Sequence, residues 1–373
     1  MTLPVAAKPS RADLAALGGR LPWRTVLAPM EGVGHPAFRH SIAALGGLDL
    51  VCTEFVRVTQ GPLSTALVRR AIQPSAGSAL SVQVMGNAPE RMAEAAGHVA
   101  RAGADVVDIN LGCPMPRIVR KGVGAAMLKQ PELLARVLEQ MRAATSGLLS
   151  AKIRAGFDDA SQVLQIARLV ESTGVDFISV HPRRRADFYA GVADWRIVGL
   201  LKRELRIPVI GNGDLWYADT ALRLQAETGC DAVMLGRPVI RNPWIFRQIS
   251  QLSRGEALFE PSPLDLLGYI DATATRYQAV FNHVRKQGAL GKLKELMGFM
   301  CRGILGGDQL LDQVRRTVDT AQFMRVVEQY LTALPADRLD LGLENRVFAG
   351  GARGLERVGS ALGSGQQAAE RPR

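Results

Sequence analysis

The stretch ERMAEAAGHVARAGADVVDIN, residues 90–110, joins an alanine-rich amphipathic segment to an apolar run through Gly103. Apolar residues at helical spacing predict a helix that ends at this glycine. The run that follows predicts a strand buried on both faces, as in a parallel sheet. The same order of helix, glycine and strand returns in LQIARLVESTGVDFISV (164–180) and ALRLQAETGCDAVMLG (221–236). This repetition of one unit predicts an α/β fold.

Eight short apolar runs follow one another at the spacing of such a unit. Because eight strand and helix units close into a barrel, we predict a (β/α)8 TIM barrel over residues 21–258. Residues 259–336 read as consecutive helices, which predict a small C-terminal helical domain. We expect residues 1–20 to form an N-terminal extension and the Gly- and Ala-rich residues 337–373 a flexible tail. The runs are VLAPM (26–30), LVCTEFV (50–56), LSVQVMG (80–86), VVDINLG (106–112), LLSAKIR (148–154), FISVHPR (177–183), IPVIGNG (207–213) and AVMLGRP (232–238).

Charge and composition limit the classes of partner. The chain has 46 Lys and Arg against 35 Asp and Glu, a net charge of +11, which fits either a polyanionic partner such as nucleic acid or a solvated basic surface. Its four cysteines lie far apart without metal-ligand spacing, so we expect no metal site. No apolar run is long enough to span a membrane, and the first residues lack a signal-peptide core. We therefore expect a cytoplasmic protein, without a membrane partner and monomeric.

Polar residues cluster at the predicted ends of the strands. In a barrel of this type the active site forms at the carboxyl ends of the strands, so these side chains share one mouth. A single cysteine is more often a buried apolar group than a reactive one, and a single histidine is more often structural. Because these residues share one location, a catalytic or ligand-binding role is favoured over a structural one. The residues are Pro29, Met30, Glu54, Arg57, Gln83, Asn110, Cys113, Lys152, Arg154, His181, Arg183, Asn212, Asp214, Gly236 and Arg237.

The last two strands end in glycine turns, GNGD (211–214) and LGRP (235–238). Barrels commonly bind a phosphate after these strands, although both turns are also ordinary turn sequences. A phosphate there, the Gln83 amide and the Lys152 cation together suit flavin mononucleotide (FMN) lying across the mouth. No GxGxxG segment indicates a separate dinucleotide domain.

Seven motifs in order resemble the tRNA-dihydrouridine synthases, flavoenzymes that reduce a uracil base in tRNA. Their combination is specific, whereas each alone is weak. The resemblance extends over about residues 26–315. The motifs are APMEG (28–32), TEFVRV (53–58), NLGCP (110–114) with a following R-K-x-x-G, KIR (152–154), VHPR (180–183), GNGD and LGRP.

The resemblance implies a reaction, two cofactors and a set of site residues. FMN would be the bound cofactor, NADPH the reductant, tRNA the substrate and Cys113 the catalytic acid. The closest likeness is to the bacterial subgroup that modifies uridine 16 of the D-loop. Flavin contacts are implied for Pro29, Met30, Glu31, Gln83, Lys152, His181, Asn212, Gly213, Asp214, Gly236 and Arg237. Base or RNA contacts are implied for Arg57, Asn110, Lys292, Lys294, Phe299 and Arg315.

The chain departs from the family pattern at Pro116, Val119 and Pro182, which alter the loops after GCP and VH. Three other functions remain open on the residues alone. One is a flavin oxidoreductase of a free pyrimidine, similar to dihydroorotate dehydrogenases, which the basic helical segment disfavours. Another is an RNA-binding barrel without catalysis, which has no need of Cys113, Lys152 and His181. The third is an aldolase that forms a Schiff base on Lys152.

Overall fold

The computed structural model describes residues 10–16, 20–61, 63–73, 75, 77–281, 288–336, 339 and 341. Within them nine parallel strands form one sheet, which the pairing of β2 with β4 closes into a ring of eight. The remaining strand, β3, extends the second position of this ring and pairs with β4. The predicted TIM barrel is therefore confirmed. The strands are β1 Thr25–Leu27, β2 Leu50–Cys52, β3 Val56–Arg57, β4 Ala79–Met85, β5 Val106–Leu111, β6 Leu148–Gly156, β7 Phe177–Arg184, β8 Val209–Asn212 and β9 Ala232–Leu235.

Helices alternate with the strands, and four more follow the barrel. The helices α4 and α9 end at Gly103 and Gly229, as their sequences predict. None of the described helices is long and apolar enough to cross a membrane. The helices are α1 Arg11–Ala16, α2 Pro36–Ala43, α3 Thr65–Ala71, α4 Pro89–Ala102, α5 Pro116–Val119, α6 Pro131–Ala144, α7 Val163–Ser172, α8 Trp195–Glu204, α9 Ala218–Thr228, α10 Arg237–Arg241, α11 Ile245–Ser253, α12 Pro263–Phe281, α13 Gly288–Met300, α14 Gly307–Arg316 and α15 Thr320–Thr332, with 3₁₀ turns at Gly124–Lys129 and Cys301–Gly303.

The second barrel position is interrupted, although its sequence predicts one continuous strand over residues 50–56. The hydroxyl of Thr53 donates to the carbonyl of Glu54 (2.9 Å) and accepts from the backbone N–H of Gln83 (3.1 Å). Local bonds of this kind compete with the regular ladder, so the strand breaks between β2 and β3. The break leaves Glu54 at the barrel mouth, where its carboxylate accepts from the N–H of Gly32 (2.6 Å).

Side-chain alternation along each strand builds an apolar base and a polar mouth. In β7 the residues at every second position are Phe177, Ser179, His181 and Arg183, all buried. Phe177 joins the apolar cluster at the base of the barrel, where it packs edge-on against Trp23. Because alternate residues of a strand share one face, the same face becomes polar and then charged toward the mouth.

The first of the helices that follow the barrel, α12, packs against α2. At this contact the buried ring of His35 packs edge-on against Tyr277 (centroids 4.8 Å apart) and Phe281 (4.7 Å). His35 also caps α2 by accepting from the N–H of Phe38 through Nδ1. The predicted C-terminal helices are thus confirmed, while the predicted tail lies outside the described residues apart from 339 and 341.

Acid is expected to weaken this junction through His35. Burial first, and then the nearby cations Lys292, Arg39 and Arg70, lower the pKa of His35 to about 3. Since the unfolded chain binds the proton near pH 6.5, the stability that neutral His35 contributes is complete above that pH and falls as the pH drops toward 3. We expect unfolding to become roughly 2 kcal/mol easier at pH 5 than at pH 7 from this residue. Denaturant titrations of the wild type and His35→Gln should show the difference, and an equal pH dependence in both would contradict it.

Candidate active site

A cavity of about 470 Å³ opens at the carboxyl ends of the barrel strands. Every position of the barrel contributes to its lining, and one residue comes from α13. Ligand cavities of enzymes typically measure about 300–1,000 Å³, so the size suits a cofactor. The predicted residues that line it are Pro29, Met30, Glu31, Gln83, Asn110, Cys113, Lys152, His181, Asn212, Gly213, Asp214, Gly236, Arg237 and Phe299.

A buried network fixes the amide of Gln83. Gln83, Asp108 and Ser150 lie side by side on β4, β5 and β6, because the strand register pairs them. Gln83 Nε2 donates to Asp108 Oδ2 (2.7 Å), and the Ser150 hydroxyl donates to Asp108 Oδ1 (2.6 Å). Burial raises the pKa of Asp108 to about 6, while both hydrogen bonds lower it. Since an ionised carboxylate only accepts, it holds the nitrogen end of the Gln83 amide toward β5.

The network continues to the start of the cysteine loop. Asn110 donates from Nδ2 to Gln83 Oε1 (2.7 Å). Its Oδ1 accepts from the N–H groups of Gly112 (3.1 Å) and Cys113 (2.9 Å). The side chain of Asn110 therefore sets the path of the loop as it leaves β5. Its predicted contact with the target base stays a prediction.

Cys113 itself is half-buried at the edge of the cavity. Burial raises the pKa of its thiol, and the negative charge of Glu31 raises it further. The thiol is therefore protonated at neutral pH, which suits a proton donor rather than a nucleophile. Gly124 packs against the loop with φ +64, and a Cβ there would lie 3.0 Å from the carbonyl oxygen of Cys113. Both the positive φ and the close contact favour glycine at this position.

Lys152 extends into the cavity from β6, in register with Asn110. Its Nζ donates to Asn212 Oδ1 (3.0 Å), and Asn212 Nδ2 donates to the carbonyl of Met234 (2.7 Å). Burial lowers the pKa of Lys152 to about 8, and the positive charge of Arg154 also lowers it. Lys152 is a partly buried cation without an ion pair in the described residues, which favours an anionic ligand beside it.

His181 lies under a group of arginines and is buried. Burial, followed by the charges of Arg154, Lys152 and other cations, places the pKa of His181 well below its ordinary value. The imidazole is therefore neutral at neutral pH. Arg183 Nη1 lies 3.4 Å from His181 Nε2, and arginine can only donate, so this contact fits the tautomer that carries its proton on Nδ1.

Asp214 was predicted to contact the cofactor, and in the structure its carboxylate binds Arg183 through two hydrogen bonds (2.9 and 2.7 Å). It also accepts from the N–H of Ala193 (2.7 Å). The side chain thus ties the loops after β7 and β8 together. The cofactor contact of Asp214 stays a prediction, although the residue lines the cavity.

Some residues of the cavity escaped the sequence analysis. Tyr189 lies beyond the end of β7, and the guanidinium groups of Arg154 (5.3 Å from the ring centroid) and Arg237 (4.6 Å) both lie over its ring. Arg154 donates to the carbonyls of Gly112 (2.8 Å) and Phe188 (2.7 Å), so it joins the cysteine loop to the Tyr189 loop. No periodic pattern marks Tyr189. Asp108, behind the cavity, could have been predicted from sequence. An acidic residue inside the apolar run VVDINLG indicates a buried polar network, because a buried carboxylate needs hydrogen-bond partners.

The cysteine loop and β7 contain the prolines that depart from the family pattern. Pro116 is the first residue of α5, a position that lacks a helical N–H partner in any case. Pro182 lies in β7 beside a register shift between Arg154 and Gly156 of β6. Prolines in sheets are tolerated at such irregularities, so the backbone accommodates both prolines.

Four predicted RNA contacts lie outside the cavity lining: Arg57, Lys292, Lys294 and Arg315. Lys292 Nζ donates to the carbonyl of Gly32 (2.6 Å) and to Glu295 (2.8 Å). Lys294 Nζ donates to the carbonyls of Arg315 (2.9 Å) and Thr317 (2.6 Å). The side chain of Arg315 is 63% exposed. These contacts to RNA stay predictions, and the basic residues His283, Arg285 and Lys286 lie outside the described residues.

The described residues were searched for a metal site, and the fold was compared with solved structures. Among the described residues no three His, Cys, Asp or Glu side chains are grouped to hold a metal ion. A solved 2-naphthoyl-CoA reductase in complex with 2-naphthoyl-CoA superposes with a TM-score of 0.51 at 12% identity, covering 62% of this chain and 50% of that one. At this identity the likeness concerns the fold alone.

Closer similarity comes from sequence. The chain is 31% identical over 320 residues to a tRNA-dihydrouridine(16) synthase of Ralstonia nicotianae, which covers 83% of this chain and 97% of that protein. It is 35% identical over 246 residues to a tRNA-dihydrouridine synthase B of Pseudomonas aeruginosa, covering 65% and 74%. The model of the dihydrouridine synthase (Dus) family matches residues 26–334. The chain therefore belongs to the dihydrouridine synthase family of flavin-dependent oxidoreductases that act on tRNA.

Proposed function

We propose that this protein reduces a uridine of the tRNA D-loop to 5,6-dihydrouridine with FMN and NADPH, and that Cys113 donates the proton. The observation that carries the proposal is a half-buried free thiol at the edge of a cation-lined cavity in a barrel mouth. Saturation of a C5–C6 double bond needs a hydride on one carbon and a proton on the other. A thiol that keeps its proton at neutral pH and faces the cavity fits the second role.

The donor set of the cavity fits a flavin nucleotide. Its four cationic side chains exceed its two acids, and both acids already pair with arginines, so an anionic ligand is favoured. We propose that Lys152 and Gln83 hold the ring system and that Gly236 and Arg237 hold the phosphate. The chemistry that reduced FMN supplies is a hydride for the uracil ring. The cationic side chains are Arg117, Lys152, Arg154 and Arg237, and the acids are Glu31 and Asp214.

The protein must also admit a base that is normally stacked or paired within tRNA. Extruding a base costs a few kcal/mol, which phosphate contacts must offset. We propose that Arg57 and Arg315, with the helices over residues 259–336, bind the RNA backbone. Phe299 of α13 lines the cavity, so it can contact the extruded base from the helical side. The similarity to relatives named for position 16 supports uridine 16 as the target.

The first test is the dihydrouridine content of each D-loop position in tRNA from cells with and without the gene. Loss at position 16 alone is the expected result. Loss at another position would keep the reaction and replace the target. If no position changes, and the purified protein binds flavin and reduces a free pyrimidine, the substrate is not tRNA. A protein that cannot bind flavin would point to an RNA-binding barrel without catalysis.

A further inference from the structure

A tight turn at residues 30–34 forms one wall of the cavity. The carbonyl of Met30 accepts from the N–H groups of Val33 (3.2 Å) and Gly34 (2.7 Å). Gly32 has φ +84, a value that side chains other than glycine rarely adopt. Pro29, Met30 and Val33 all line the cavity. The position of this turn therefore decides the shape of the cavity beside the ends of β1 and β9.

Two charged side chains hold the turn at Gly32 from different parts of the fold. Glu54, in the break between β2 and β3, accepts from the N–H of Gly32 (2.6 Å). Lys292, on α13, donates to the carbonyl of Gly32 (2.6 Å). A carboxylate at an N–H and an ammonium at a carbonyl are charge-assisted bonds, which are stronger than neutral ones. If the peptide before Gly32 rotated, a carbonyl oxygen would face the Glu54 carboxylate. If the peptide after Gly32 rotated, an N–H would face the Lys292 ammonium. Both arrangements are repulsive, so the two side chains hold the turn in one orientation.

Lys292 is partly buried, and its ammonium already has protein partners. Its ammonium also pairs with Glu295 (2.8 Å), and its side chain is 30% exposed. A small gap of about 10 Å³ beside it is lined by Gly32 and Val33 of the turn and by Leu296 and Phe299 of α13, so α13 packs against the turn. The bond joins residues 260 positions apart. An ammonium with a carbonyl and a carboxylate already bound has little capacity left for an RNA phosphate.

We propose that Lys292 is a positioning residue, which holds the turn at residues 30–34 in the shape that the cofactor cavity requires, and that it does not contact tRNA phosphate. This inference rests on the proposed function in one respect, namely that the cavity binds a flavin. It assigns the helical segment a second task besides RNA binding. The helices complete the cofactor site from outside the barrel.

The test compares Lys292→Met with Lys294→Met in the full-length protein loaded with FMN. Methionine keeps most of the apolar stem and removes the charge. Lys294 is the matched control, because it lies on the same helix and its ammonium binds the carbonyls of Arg315 and Thr317, not the turn. Three quantities are measured: amide hydrogen exchange in the peptide over residues 29–35, the rate of FMN dissociation, and tRNA affinity as a function of salt.

For Lys292→Met we expect faster exchange in residues 29–35 and roughly tenfold faster FMN dissociation, since one charge-assisted bond is lost. The affinity for tRNA and its salt slope should equal those of the wild type. Lys294→Met should leave exchange and FMN release unchanged. Glu54→Gln, which weakens the opposite tether, should also speed exchange in the turn, whereas Lys292→Arg should restore FMN retention in part.

Two results would overturn the proposal. One is unchanged exchange in residues 29–35 in Lys292→Met. The other is normal FMN release together with weaker tRNA binding and a salt slope reduced by about one, the signature of a lost phosphate contact. Failure of the proposed function is distinguishable, because a wild type that binds no flavin would still show, through exchange, whether Lys292 holds the turn.

Discussion

Replacing Cys113 with alanine is expected to reduce turnover on tRNA by about 10²–10⁴-fold, the usual contribution of a general acid. The change removes only the thiol of Cys113, so we expect the proton-transfer step to be the one that slows. The backbone N–H of the residue still binds Asn110 Oδ1 after the change, so the loop should keep its path. Bound FMN, its reduction by NADPH and tRNA affinity should remain close to wild type. Single-turnover oxidation of the reduced flavin by tRNA isolates the affected step.

Cys230→Ala is the matched control, because Cys230 is buried before β9 and does not line the cavity. It should turn over tRNA at nearly the wild-type rate. The pH profile provides a second check. Since burial and Glu31 raise the pKa of the Cys113 thiol, wild-type activity should persist through neutral pH and decline only in the alkaline range. A Cys113→Ala protein that releases its flavin would show instead that the cysteine maintains the cavity.

Replacing Asp214 with alanine is expected to lower the free energy of unfolding by about 3–5 kcal/mol, because it strands a buried cation. The side chain of Arg183 is only 2% exposed, and Asp214 supplies its counter-charge through two hydrogen bonds. Domains are commonly stable by only about 5–15 kcal/mol, so the loss is large. Denaturant titration at neutral pH measures it. Asp214→Asn keeps a hydrogen-bond acceptor, so its free energy of unfolding should fall by less. It replaces the alanine variant in the measurement if that variant does not fold.

An exposed ion pair supplies the control for Asp214. Glu227 pairs with Arg223 one turn away on α9, and both side chains are more than 40% exposed. Glu227→Ala should cost only about 0.3–0.5 kcal/mol, as is usual for such pairs. Similar small losses for Asp214→Ala and Glu227→Ala would show that Arg183 finds sufficient partners in the carbonyls of Ala190 and Gly191.

Much of the site could be predicted from sequence because barrel strands expose their ends at one mouth. Gln83 and Lys152 lie within apolar runs and Cys113 follows one, and the structure brings all three to the same cavity. The partners of these residues could not be predicted in the same way. That Asp108 holds the Gln83 amide depends on the register of neighbouring strands, which no local pattern states.

The sequence by itself determined the order of strands and helices, the glycines that end α4 and α9, and the edge of the barrel where polar groups gather. These features follow from local periodicity and backbone preference. Only the tertiary structure decided which charged groups meet. Asp214 binds Arg183, and the ammonium of Lys292 donates to a carbonyl in the first barrel loop. The physical reason is that a long charged side chain takes whichever partner packing places nearby, and that packing joins residues remote in sequence.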